Sequence, residues 1–320
     1  MNIKLNMIPH YDDRFDCIQN VLYSLLEKVV SFPELILFGN WNFKFKENEI
    51  DENYIGGCLQ SSKLNTIANC EEFFHLRFQP IKTGVGELDA IIECLKAKEF
   101  VLIELDTKQI TWGLNQDIFM QEHYCLIQGI DTDCEVVYVM DTNAVDHNQS
   151  VIPFSHQSMI KRMWRINMSG LQDCSYSSYE MIEMLLKRMK ADQVLEQEYK
   201  YLNYLKNHTI DMKKEAKGYE DKMAFCPFMW NLFNLGTGRY QTSMLIDHLI
   251  QSESSVNLKP VTIGLMELAK SWEDTRNLLV KYAIRGNKVV YQRIIVHTEE
   301  TVEKEKQIHD KVGEYINEYK

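Results

Sequence analysis

From Cys17 onward, the apolar residues Ile18, Val21, Leu22, Leu25, Leu26 and Val29 recur every three or four positions. That period lays them along one stripe of an α-helix and predicts a helix beginning at Cys17 and closed by Phe32-Pro33. The stretch LILFGNWNFKF (35–45), with a glycine in its middle, reads as extended or turning. GELDAIIECLKAK (86–98) returns to helical spacing, and FVLIELD (100–106) is a short apolar run of the kind that forms a buried strand. Two further strand patterns, HYCLIQGID (123–131) and EVVYVMDT (135–142), are separated by the turn formers Asp131-Thr132-Asp133, which predicts a hairpin. Beyond about residue 165 the texture changes. Residues 177–206 form a long helical pattern opened by Ser177, with Glu180 three residues on, the spacing of a capping box. Ser271 and Asp274 mark a similar start before SWEDTRNLLVKYAIRGN (271–287), whose Gly286 can end the helix.

The pattern therefore predicts an α+β part over residues 1–165 and a mostly helical part over 166–320, with a soft boundary near 165–176. A chain of 320 residues is long enough for one large or two medium domains. With 45% hydrophobic and 25% charged residues it is neither disordered nor fibrous. No apolar run approaches the roughly 18 residues that span a bilayer. The opening MNIKLNMIPHYDDRFDC lacks the pattern of a secretory signal, so a cytoplasmic protein without membrane attachment is expected. A formal charge of −11 argues against nucleic-acid binding, which needs clustered Lys and Arg, and leaves room for a cationic small molecule.

Eight cysteines, at 17, 58, 70, 94, 125, 134, 174 and 226, show no paired short spacing, so reduced thiols are expected. There is no C-x-x-C, and His123-Tyr124-Cys125 is too tight to resemble a structural zinc set, so no metal is expected. One cysteine stands apart by position. Cys17 falls in the first turn of its helix, where unpaired N–H groups and the positive dipole end favour a thiolate and can donate to an oxyanion. His123, opening a strand, is the candidate base. Asp141, closing the next strand, is the candidate group that orients the imidazole. The order Cys, His, Asp is that of papain-like enzymes. Those enzymes carry an oxyanion-donating glutamine shortly before the nucleophile, whereas this chain reads HYDDRFDC there. Asn20, one turn after Cys17, is the candidate substitute. GTGR (236–239), ahead of a helical segment, is either an anion-binding loop using Arg239 or a plain helix-starting loop.

The block HYCLIQGIDTDCEVVYVMDTN (123–143) resembles the His block of papain-like bacterial cysteine enzymes. Taken with DCIQNVLYSLLEKVVSFPELILFGNWNFKF (16–45) and FVLIELD (100–106), it resembles the N-terminal domain of the butirosin biosynthesis protein H family, over about half the chain. The resemblance implies a papain-like cysteine-peptidase-type core. It also implies a cysteine acyltransferase that takes an acyl group from the phosphopantetheine thioester of an acyl carrier protein and passes it to an amine acceptor, with no cofactor of its own. Cys17 would carry the acyl group, His123 act as base and Asp141 orient it. Glu34 and Gly39 fall where the family has its Glu and its Gly-rich run. Here that run is GNWNFKF, with Trp41 among residues bulkier than usual, so Glu34, Gly39 and Trp41 are the candidate substrate-binding residues of a reshaped pocket. The expected cleft lies between the two halves. A cysteine peptidase or thioesterase, and a noncatalytic binding protein on the same fold, are the alternatives.

Overall fold

The structure, a computed structural model, describes residues 1–5, 7–47, 50, 54–61, 66–82, 84, 86–106, 109–110, 123–142, 149–252 and 258–318. In chain order its elements are β1 (Asn2–Lys4), α1 (Cys17–Leu26), β2 (Lys44–Phe45), β3 (Leu59–Gln60), α2 (Thr66–Phe74), β4 (Arg77–Ile81), α3 (Glu87–Lys96), β5 (Phe100–Leu105), β6 (His123–Asp131), β7 (Val136–Met140), β8 (Gln149–Pro153), β9 (Ile160–Asn167), α4 (Ser178–Ala191), α5 (Val194–Asn207), α6 (Met212–Glu215), α7 (Pro227–Ser252), α8 (Lys259–Arg285) and α9 (Lys288–Glu318). Short 3-10 turns occur at Pro33–Leu37, Phe154–Met159 and Glu220–Phe225. An antiparallel sheet followed by a helical C-terminal half is the mixed architecture the sequence pattern predicts. Among the described residues, no helix is long and apolar enough to cross a membrane. All eight cysteines carry free thiols.

Contacts divide the chain into two units, one of Met1–Ile36 with Thr66–Cys174 and the other of Leu37–Asn65 with Ser175–Lys320. The division differs from the linear one at 165/166, because the stretch after the first 3-10 turn joins the helical unit. The reason is side-chain chemistry. Phe43 and Phe45 pack edge-on against Tyr201, and Glu215 accepts the N–H groups of Ile55 and Gly56 at 2.5 and 2.9 Å.

The first unit is built on a seven-stranded antiparallel sheet in the order β4-β9-β5-β6-β7-β8, with β1 also paired to β6. Pairing of β5 along β6 ends at Val101 opposite Ile127, and β1 takes over at Gly129–Asp131. Gly129 is required there. A Cβ at this position would lie 2.7 Å from the Ile3 carbonyl oxygen, closer than a side chain tolerates. The predicted hairpin is β6 with β7, carrying a bulge between Ile127 and Gly129. Val101, Ile103 and Leu105 of β5 alternate onto the same face as Cys125 and Ile127 of β6 and pack with Ile91 and Leu95 of α3. Burial of each such aliphatic side chain contributes roughly 1.5–3 kcal/mol.

The helical unit corrects three readings. The pattern over 177–206 begins at the Ser177–Glu180 capping box as predicted, but it breaks into α4 and α5 where Gln193 adopts φ +51°. Ser271 is not a helix start. α8 enters at Lys259 with a proline in its first turn and runs through Ser271, whose carbonyl accepts the Thr275 hydroxyl, until Gly286 ends it at φ +61°. Nor is GTGR a loop of either kind: it lies inside α7, and a Cβ on Gly238 would sit 2.2 Å from the Asn40 carbonyl oxygen. Arg239 is fully buried and donates to Glu198 at 2.7 Å, to Glu305 at 2.5 Å and to the Asn42 carbonyl at 2.8 Å. It is therefore committed to carboxylates of the interior. Burial first, then the charge of Glu305, hold the Glu198 carboxyl well above the usual range against the pull of Arg239.

Candidate active site

α1 starts at Cys17 because Asp16 caps it. The Asp16 side chain accepts the Gln19 N–H at 2.8 Å, and the Gln19 side chain accepts the Asp16 N–H at 3.0 Å. This reciprocal box leaves the N–H groups of Cys17 and Ile18 in the first turn, where a helix supplies no acceptors of its own. The helix ends at Leu26 rather than at Phe32, and Val29, which continued its apolar stripe, is half exposed.

β7 pairs with β6 only from Leu126 onward, so β7 does not cover the edge of β6 nearer its start. The Tyr124 N–H meets the Cys17 sulfur there instead, at 3.3 Å. His123, at the first position of β6, pairs with Leu105, and its Nε2 lies 2.9 Å from Oδ2 of Asp141, the residue that follows β7. His123 is 3% exposed, Asp141 0% and Cys17 7%, so solvent does not screen the pair. Burial alone would pull the imidazole down. The neighbouring Cys125 sulfur and hydrogen bonds to Asp141, Cys125 and Cys17 outweigh it, and His123 titrates well above its ordinary range. With Nε2 engaged by Asp141, Nδ1 is the ring atom left to exchange a proton with a thiol.

The structure thus brings Cys17, His123 and Asp141 together. It does not offer Asn20 as an oxyanion donor: its amide holds the preceding chain, accepting the Asp12 N–H at 2.9 Å and donating to the carbonyls of Asp12 and Phe15 at 3.1 and 3.3 Å. The first-turn N–H groups of α1 are the donors that remain for an oxyanion. Glu34 lies in the same unit and accepts the Tyr23 hydroxyl at 2.7 Å. Burial, followed by this carboxylate's hydrogen bond and charge, drives the Tyr23 hydroxyl upward.

Gly39 and Trp41 are built into the helical unit. Gly39 has φ +81°, and a Cβ there would meet the Arg188 side chain at 2.8 Å. Trp41 is 1% exposed and donates its indole N–H to Glu305 at 2.6 Å, so it is a core residue and not a pocket wall. Sequence reasoning passed over Cys125, which reads as strand packing but is two residues from His123 on the same face. Burial, then the charge of Asp141, push its thiol up to about 12. A cavity of about 480 Å³ in the first unit, bordered by Glu71, His75 and Arg77, shares no residue with this constellation. No protein-family model matches the chain, and no curated protein matches it.

Proposed function

We propose that the protein is a cysteine-dependent acyltransferase working through an acyl-enzyme on Cys17. The observation that carries this reading is a thiol at the first position of a helix, held by the Tyr124 N–H beside His123, an imidazole that this thiol helps to raise and whose Nε2 meets a buried carboxylate at 2.9 Å. In the first half-reaction the sulfur adds to a thioester carbonyl while His123 takes its proton. The oxyanion rests on first-turn N–H groups, and the leaving thiol departs with a proton from His123. In the second half-reaction His123 deprotonates the acceptor amine, which attacks the acyl-enzyme and frees Cys17. Asp141 keeps the imidazole in one tautomer and stabilises its charged form. A papain-like identity for the first unit agrees with the order of the three residues and with a helix N-terminus set beside an antiparallel sheet.

The choice of an acyl-carrier-protein thioester as donor and an amine as acceptor rests on the resemblance of residues 16–45, 100–106 and 123–143 to the butirosin biosynthesis protein H family. Of these, Asn143 lies outside the described residues. Free thiols throughout the chain suit a reducing cytoplasm. The test is incubation with an acyl-phosphopantetheine carrier protein, with and without a polyamine or amino sugar, followed by intact mass. An acyl adduct on Cys17 that passes to the amine is the expected result. Free acid alone would replace transferase by hydrolase, and no adduct at Cys17 would remove the nucleophile.

A further inference from the structure

Between Asp274 and Glu299 the chain carries Arg276, Lys281, Arg285, Lys288 and Arg293 and no carboxylate, although the whole sequence has 46 Asp and Glu against 35 Lys and Arg. The fold turns this stretch into a hairpin, made of the last turns of α8, the Gly286 turn at φ +61° and the first turns of α9. Arg276 is drawn inward, donating to the Ala224 carbonyl at 2.7 Å and lying over the Phe233 ring. Lys281, Arg285, Lys288 and Arg293 are exposed, and among the described residues no carboxylate forms an ion pair with them. Ile284 and Val289 stand on either side of the turn at 76% and 62% exposure; with Ile8 they are the most exposed large hydrophobic side chains among the described residues. Val296, two turns beyond Val289 on α9, is exposed as well.

Cations interleaved with bare aliphatic side chains fit a bilayer of anionic lipid, which offers negative headgroups to the first and, a few ångströms deeper, acyl chains to the second. A single-stranded nucleic acid would meet the cations but needs aromatic faces for its bases. The aromatic rings of this hairpin are engaged with each other: Tyr282 and Tyr291 have centroids 5.0 Å apart, and the Tyr291 hydroxyl donates to the His208 carbonyl at 2.5 Å. A second copy docking tip to tip would bring cations against cations. The patch also keeps its sign. Asp274 and Glu299 lie about 18–20 Å back from Gly286 along the two helices, against a Debye length of about 8 Å. The nearer acid is Asp211, which after burial is what raises the Tyr282 hydroxyl, and exposed Lys213 and Lys214 accompany it. Hydropathy does not register such a tip, because its apolar residues are single and set among charges; the expectation of no membrane attachment rested on continuous apolar runs.

We propose that the α8–α9 hairpin tip docks the protein on an anionic bilayer, with Lys281, Arg285, Lys288 and Arg293 at headgroup level and Ile284 and Val289 entering the acyl boundary. The attachment is peripheral and reversible, and it weakens with salt because exposed charges supply much of it. It does not rest on the acyl-transfer reading.

The experiment is co-sedimentation of the full chain with vesicles of phosphatidylcholine alone and of phosphatidylcholine containing about one-third phosphatidylserine. Binding is expected on the anionic vesicles only, falling on the order of tenfold or more as salt rises from about 0.1 to 1 M. Arg285→Glu with Lys288→Glu should lower the partition coefficient roughly tenfold or more, since each cation near such a surface is worth about a fivefold change. Ile284→Ser with Val289→Ser should lower it on the order of tenfold. Lys304→Glu with Lys311→Glu changes the net charge equally but lies about 27 Å or more from the turn along α9, and should leave binding within about twofold. Far-ultraviolet circular dichroism checks that each variant is folded. No binding to anionic vesicles, equal binding to both vesicle types, a folded tip variant that binds as wild type, or a distal variant that loses as much as the tip variants would each overturn the proposal. Binding of polyuridylate RNA through the same cations in place of vesicles would give the surface to nucleic acid and overturn it too.

Discussion

Asp141 is fully buried and faces the His123 ring at 2.9 Å, which makes it the residue whose replacement reads out the imidazole. Asp141→Asn keeps the shape but reverses the hydrogen-bond preference, and is expected to slow acyl-enzyme formation on the order of 10²- to 10⁴-fold, measured by intact mass against time. The same pair links folding to pH. The native pKa of His123 lies above its ordinary value, so the charged ring's pairing with Asp141 adds stability that is complete below about 6.5 and lost as pH rises through the native value. Urea melts should therefore show the gap between wild type and His123→Gln narrowing from mildly acidic to alkaline pH. Among the described residues the groups facing the ring are Asp141, Cys17 and Cys125, and no shift of that gap between pH 6 and 9 would refute the assignment. Among the other thiols, Cys70, Cys94, Cys125 and Cys226 are raised by burial, and Cys134 is raised chiefly by the charge of Asp131. The protein should label first at Cys17.

At the scale of elements, α1 depends on a cap that the hydrophobic stripe did not reveal. Asp16→Ala removes the acceptor of the Gln19 N–H and is expected to cost about 1 kcal/mol in a urea melt. Gly129→Ala drives a methyl group at the Ile3 carbonyl and should cost about 1–3 kcal/mol; a neutral result would mean that β1 simply moves away. These two cases show what the chain discloses about itself. The β6–β7 hairpin and the start of α1 are legible because each element carries its own signal, alternation in one and a helical stripe in the other. Strand β9, IKRMWRIN, is illegible because Lys161, Arg162 and Arg165 break its alternation. Two of those charges belong in the sheet only because Glu104 and Glu99, some sixty residues away, pair with them. Likewise Cys17, His123 and Asp141 stand at element ends, where polar residues draw notice, while Cys125 is hidden in a run of strand residues. Asn20 and Trp41 were misread because their hydrogen-bond partners lie at positions that local spacing does not encode.

For the molecule as a whole, the helical unit is organised around one arginine and two glutamates at zero exposure, a cluster whose formal charge is +1 − 2 = −1. Burial and the charge of Glu305 raise the Glu198 carboxyl well above its ordinary range, which favours its neutral form and offsets that excess. A carboxyl raised in the folded state lends stability that is complete at low pH and fades as pH climbs through the native value, so Glu198→Gln should flatten the stability-versus-pH curve on the acid side of neutrality. Arg239→Met, which strands the carboxylates, should cost about 3–5 kcal/mol, and adding Glu198→Gln and Glu305→Gln should recover most of it in chemical denaturation. Residues 37–65 belong to this unit through Asn40 with Gln241, Trp41 with Glu305, and Ser61 and Gly56 with Asn231. Timing during synthesis follows from that arrangement. Trp41 leaves the ribosome 264 residues before Glu305, a wait of roughly 10–50 s at ordinary elongation rates. Throughout that interval Trp41 lacks its Glu305 partner, and for the earlier part of it Phe43 and Phe45 also lack Tyr201. A nascent chain arrested before α9 should be cleaved by protease within 37–65, and the cuts should vanish once the last helix has cleared the exit tunnel.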